Sequence, residues 1–103
     1  MNSDVLILYS RKGCCLCETL EKKLSNLALN NLTPSLVLSI IDIDSKKVPL
    51  DIQIKYTNQV PVMVLDSTIL SKKIELPRVS PRLKEDMLLS CIQKNLNILY
   101  KTS

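Results

Sequence analysis

The alternation of apolar and polar positions divides the chain into a short series of elements. Asp4-Val5-Leu6-Ile7-Leu8-Tyr9-Ser10 is a nearly unbroken apolar run bounded by polar residues, which predicts a strand buried on both faces of a covered sheet. Arg11-Lys12-Gly13 reads as a loop. Leu16, Leu20, Leu24, Leu27 and Ala28 then recur at helical spacing, so a first helix is expected from Cys15 to Leu29, stopped by Asn30 and Asn31.

Ser35 to Asp44 reads as a second strand rich in Val and Ile. Asp44 or Ser45 can cap a short, weaker helix through Leu50, Ile52 and Tyr56, with Pro49 tolerable only in its first turn. Val62–Leu65 and Ile69–Ile74 read as two strands joined tightly at Asp66-Ser67, a hairpin without its usual Gly. Ser80-Pro81 offers a hydroxyl cap and a proline at the first helical position. The last helix then carries one apolar stripe: Leu83, Met87, Leu88, Cys91, Ile92, Leu96 and Leu99. The order βαβαββα predicts an α/β fold, a four-stranded mixed sheet with helices on both faces. That arrangement is the thioredoxin-like architecture.

Composition narrows this picture. At 103 residues the chain suits a single domain spanning 1–103, large enough to hold a core without covalent staples. Three Tyr and no Phe or Trp leave an aliphatic core, and argue against the aromatic platforms on which single-stranded nucleic acids stack. The net charge of +4 is spread over short pairs such as Arg11-Lys12, Lys22-Lys23, Lys46-Lys47 and Lys72-Lys73, without the dense cluster nucleic-acid proteins use. No nucleic-acid partner is expected, and only a mild preference for acidic ones. Met1-Asn2-Ser3-Asp4 lacks the features of a secretory signal, and no apolar run nears the roughly 18 residues of a membrane helix. A cytoplasmic monomer is therefore expected, in a compartment that keeps thiols reduced.

In that setting the four Cys point to reactivity, metal binding or core filling rather than a disulfide framework. Cys14-Cys15-Leu16-Cys17 places a C-x-x-C motif between a buried strand and an amphipathic helix. At a helix start several backbone N–H groups lack intrahelical partners, and the macrodipole presents partial positive charge. Both favour thiolate, and Arg11 and Lys12 add positive charge just upstream. A free cysteine titrates near about 8.5, and sites of this kind bring it down to roughly 3.5–7.5. Cys14 is expected at or next to the cap, as the more exposed and nucleophilic thiol. Cys17 lies one turn on, within disulfide reach. Cys15 is expected to face away from Cys17, and Cys91 to be a small core hydrophobe. Structural zinc usually draws four Cys or His ligands from two clips; this chain has no His and no second C-x-x-C.

With these elements in place, Val60-Pro61-Val62-Met63 completes a resemblance. The chain resembles the glutaredoxin branch of the thioredoxin superfamily, and within it short glutaredoxin-like domains with Tyr-x-x-x-x-Cys-x-Leu-Cys after the first strand and Val-Pro before the third. Here those residues are Tyr9, Cys14, Leu16, Cys17, Val60 and Pro61, and Asp42-Ile43-Asp44 fits as well. The resemblance implies a cis Pro61 packed beside the thiol pair, and a Val60 backbone that pairs with an extended substrate. It also implies a dithiol oxidoreductase with Cys14 as nucleophile and Cys17 as resolving thiol. Its substrates would be disulfide-containing proteins or small molecules, and its reductant glutathione or a thioredoxin reductase.

The departures matter. Typical glutaredoxins carry Cys-Pro-Tyr-Cys, and a Gly-Gly and an Asp after the last strand that hold the glutathione γ-glutamyl group. Here that stretch is Ile74-Glu75-Leu76-Pro77-Arg78-Val79, and Gly13 is the sole glycine. Lys12 could still pair with a glutathione carboxylate. Glutathione is thus left as a co-substrate without its usual pocket, and no cofactor is required. Two other functions compete: a non-catalytic adaptor or redox sensor binding an extended partner segment beside Pro61, and a carrier of an iron–sulfur cluster shared between two protomers.

Overall fold

The structure is a computed structural model that describes residues 4–32, 35–80 and 82–101. Its elements are β1 (Asp4–Ser10), α1 (Cys15–Asn26), a one-turn 3₁₀ segment (Leu29–Asn31), β2 (Leu36–Asp42), α2 (Leu50–Tyr56), β3 (Val62–Ser67), β4 (Lys72–Glu75) and α3 (Glu85–Lys101). The strands form one sheet in the order β2-β1-β3-β4. β1 runs parallel to β2, with Leu6 opposite Leu38, and antiparallel to β3, with Ile7 opposite Val64. β4 closes the hairpin antiparallel to β3. This is the mixed, thioredoxin-like sheet that the element order predicts.

Because successive strand residues point to opposite faces, β1 feeds two cores. Leu6 and Leu8 join Leu20 and Leu24 of α1 with Leu88, Ile92, Leu96 and Leu99 of α3 in one apolar cluster. Ile7 and Tyr9 face the other way, onto Ile43, Val48, Val62, Val64 and Tyr56 of α2. There the Tyr9 and Tyr56 rings stack with centroids 5.3 Å apart. Burial, and secondarily Tyr56 and Asp66, raise the Tyr9 hydroxyl above the ordinary tyrosine range, so the ring stays neutral in this core. At the start of β1 the buried Asp4 accepts a hydrogen bond from the Tyr100 hydroxyl. That hydroxyl also lies 3.4 Å from the Ser67 hydroxyl. No helix among the described residues is long and apolar enough to cross a membrane.

Several boundaries differ from the sequence reading, each for a tertiary reason. α1 ends at Asn26, not Leu29, because Leu27 turns extended. The exit lets Leu29 and Leu32, rather than a further helical turn, cover the first core. β2 is shorter than expected at both ends. Asp44 and Ser45 do not cap α2. They shape the preceding turns, where the Asp42 carboxylate accepts from the Asp44 N–H and the Ser45 hydroxyl from the Lys47 N–H. Pro49 takes the cap position itself and lends its carbonyl to the Gln53 N–H.

The β3–β4 hairpin is also looser than expected. Asp66 and Ser67 remain in β3, and the chain reverses over residues 68–71, with Ser71 at φ +52° in place of a glycine. The Ser67 hydroxyl secures that loop by accepting from the Leu70 N–H. Ser80 caps only a turn, accepting from the Arg82 N–H, and α3 starts at Glu85. Pro81 lies outside the described residues. The Lys23 ammonium donates to the Leu83 carbonyl at 2.7 Å, so the stretch before α3 is tied to α1. On α3 the buried stripe is Leu88, Ile92, Leu96 and Leu99. Met87 is 56% exposed, and Cys91 is half-buried at the stripe's edge rather than inside the core.

Stability should follow that stripe. Ile92→Ala opens a cavity in a fully buried cluster and is expected to cost about 2–5 kcal/mol. Met87→Ala should stay within about 0.5 kcal/mol of the parent. Urea unfolding of the two variants checks the difference.

Candidate functional site

β1 delivers the chain to the site through a tight turn. The Cys14 N–H donates to the Arg11 carbonyl at 3.3 Å, and Gly13 sits at φ +79°. A positive φ at the third residue of such a turn is the position that type II geometry reserves for glycine. A Cβ at Gly13 would meet no atom within 4 Å, so the requirement is conformational and not one of space. The turn aims the next residue at the start of α1.

Cys14 is the N-cap of α1, and its sulfur accepts from the Cys17 N–H at 3.2 Å. An amide that a helix leaves without an intrahelical partner therefore points at the first sulfur. Cys14 and Cys17 are joined as a disulfide, their Cα atoms 5.2 Å apart. Their surroundings differ sharply: Cys14 is partly exposed, whereas Cys17 is fully buried. Cys15 is exposed and unpaired one residue further on. Leu16, between the pair, keeps 46% of its surface in water.

Arg11 plays a different part from the one its charge suggests. Its guanidinium donates from Nε and Nη2 to the Asp44 carboxylate at 2.8 and 3.0 Å. It donates from Nη1 and Nη2 to the carbonyl and hydroxyl of Thr57 at 2.8 and 2.7 Å. One side chain thereby fastens the thiol turn to the loop after β2 and to the end of α2. The Asp44 hydrogen bond raises the Arg11 pKa, and Arg11 in turn holds the Asp44 carboxyl below the usual carboxylate range. Arg11 is thus a positioning residue whose charge is offset by Asp44, which corrects the expectation that it adds net positive charge for a thiolate.

The remaining residues singled out from sequence divide into two groups. The Val60–Pro61 peptide bond is cis. Pro61 lines two shallow cavities, of about 50 and 60 Å³. The smaller also holds Gln59, Val62, Met63, Glu75 and Leu76, and the other is formed with Leu16, Leu20, Arg78 and Val79. Leu16, which lies between the two cysteines, is the residue of the thiol segment that reaches this groove. The N–H and C=O of Val60 make no hydrogen bond among the described residues. Lys12 is exposed and is not brought to the groove. It lines a separate cleft of about 320 Å³ with Ser10, Glu18, Glu21 and Asp42. The sequence reading missed Arg78 and Val79 as groove residues. In sequence their segment stands out only for the glycines it lacks.

The model of the glutaredoxin-like domain family matches residues 5–93, a span that takes in the thiol turn, Pro61 and most of α3. The chain belongs to that family. A solved structure described as "Structure of a malarial protein" shares the fold, with a TM-score of 0.60 over 92% of this chain and 99% of its own, at 20% identity. No curated protein matches the chain. Membership of the glutaredoxin-like family and the Cys14–Cys17 pair together point to redox chemistry at this site.

The Arg11 clamp gives a pH signature. The Asp44 pKa is depressed in the folded state, so the stability it contributes is complete above the ordinary carboxylate pKa and is lost as pH falls through the folded value. Asp44→Asn should therefore lower the urea midpoint at pH 7 and narrow its gap to the parent near pH 3. Denaturation at the two pH values tests this, and an equal gap at both would remove Asp44 from the clamp.

Proposed function

We propose that this glutaredoxin-like domain is a dithiol thiol–disulfide oxidoreductase, with Cys14 as attacking thiolate and Cys17 as resolving thiol. The observation that carries this reading is the asymmetry of the pair: a partly exposed cysteine at a helix cap and a fully buried one within bonding reach. Only the first is open to a substrate. The Cys17 N–H and the first-turn amides favour negative charge on it.

The reaction balances in two exchanges. In the reduced protein, the Cys14 thiolate attacks one sulfur of a substrate disulfide; a Cys14–substrate bond forms, the substrate S–S bond breaks, and the other half leaves as thiolate. Cys17, after losing its proton to solvent, then attacks Cys14 and expels the second half as thiolate. The substrate gains two electrons and the protein is left with its Cys14–Cys17 disulfide. An external thiol reductant, either glutathione or a reductase of the thioredoxin kind, returns the two electrons, and one proton restores the Cys17 thiol beside the Cys14 thiolate.

Val60 and Pro61 supply the wall along which an extended substrate lies, and the unbonded Val60 amide and carbonyl support strand-like pairing with it. Lys12 lines a cleft separate from the Pro61 groove, which weakens the case for a glutathione molecule held by Lys12 and Pro61 together. Disulfide-containing proteins or peptides fit the open groove better than a glutathione-specific pocket does.

Two measurements test the reading. Iodoacetamide alkylation of the reduced protein against pH should show Cys14 reacting with a midpoint below the value of about 8.5 for free cysteine. Cys14→Ser should lose all reduction of a model disulfide, Cys17→Ser should accumulate a Cys14–substrate adduct visible by mass spectrometry, and Cys15→Ser should retain turnover. A Cys14 midpoint at the free-cysteine value with no disulfide reduced would leave the adaptor role in possession of the groove.

A further inference from the structure

Three cations bear on this end of the molecule, and Lys12 lines the separate cleft with Glu18 and Glu21. Arg11 is consumed by Asp44 and Thr57. Arg78 is exposed, and among the described residues it has no hydrogen-bond or ion-pair partner. It is common to both cavities along Pro61, and in the one that reaches Leu16 it is the sole charged lining residue. The rest of that cavity is Leu16, Leu20, Pro61 and Val79. Glu75 lines the other of these two cavities together with Arg78 but forms no ion pair with it.

An apolar floor with one unpaired guanidinium at its rim, in a cavity that reaches the residue between the two cysteines, selects by charge. A substrate backbone lying along Val60 and Pro61 carries its reacting cysteine to Cys14 and its neighbouring side chain to Arg78. We propose that Arg78 is a specificity-determining residue and that the substrates of this site are extended peptide segments whose disulfide-bonded cysteine is flanked by Asp or Glu. This rests on the dithiol reading above. Guanidinium matches carboxylate in planar, two-pronged geometry, so charge complementarity at one point supplies preference without a deep pocket.

The test uses two fluorescently labelled decapeptides that differ only in having Glu or Lys beside a central cysteine carried as its methyl disulfide. With dithiothreitol as terminal reductant, the Glu peptide should be reduced about 3–10-fold more efficiently at low salt, the scale of one exposed ion pair gained against one repulsion avoided. The difference should lie in KM and shrink toward unity near 1 M salt, where screening acts within about 3 Å. Arg78→Glu should invert the preference. Arg82→Glu changes net charge equally from an exposed position outside the groove and should leave it intact. Equal reduction of both peptides, or a preference that Arg78→Glu leaves unchanged, overturns the proposal. Binding of the same peptides to the Cys14→Ser/Cys17→Ser variant separates recognition from chemistry. Arg78-dependent preference there, with no turnover by the parent, would uphold the recognition and discard the oxidoreductase reading.

Discussion

The burial of β1 on both faces is the constraint from which the rest of this molecule follows. A strand with Leu6 and Leu8 in one core and Ile7 and Tyr9 in the other cannot slip by one residue without turning each set into the wrong layer. Its end is therefore fixed in space, and so is the place where the chain must leave the sheet. The turn over Arg11–Cys14 inherits that fixed origin. The sulfur of Cys14, which closes it, is held at a helix cap by packing that begins many residues away.

The same constraint explains why the two sulfurs differ. α1 must lay Leu20 and Leu24 on the first core, and that face of the helix includes Cys17, whose exposure falls to 0%. Cys14 precedes the helix and escapes that face. One thiol is thus accessible and the other sealed, with no residue devoted to making them unlike. The ion pair and hydrogen bonds of Arg11 add a lateral tie, across the ends of β2 and α2. They involve partly exposed groups, so they fix the turn's position more than they stabilise the fold.

What the sequence shows and what it hides divide along physical lines. β1 is legible because double burial writes an unbroken apolar run, and the thiol pair because three residues of separation make one helical turn at any strand-to-helix junction. Both signals are local. The early end of α1 is hidden because Leu27, Leu29 and Leu32 satisfy a helical pattern and a wrapped, irregular segment equally well; packing against the first core decides between them. The hairpin between β3 and β4 is legible, but the place of its turn is hidden, because that turn uses Ser71 at a glycine-like φ and a Ser67 hydroxyl bond, neither of which follows a common sequence rule. Arg11 is misread for a similar reason: its partners are 33 and 46 residues away, beyond what proximity in sequence conveys.

Arg78 shows how far such reasoning reaches in the other direction. The stretch from Ile74 to Val79 stands out in the sequence only for departing from the glycine pair of typical glutaredoxins. The structure turns that departure into a feature, since a side chain occupies the groove wall that a glycine would leave bare. A guanidinium there is costly to leave without a counter-charge only if it is desolvated. Exposed as it is, it can wait in water at little expense and be desolvated when a substrate covers it. Charge selection at a shallow groove therefore requires the very openness that makes the site look unspecific, and Arg78 shares its cavity with Leu16, the residue between the two cysteines.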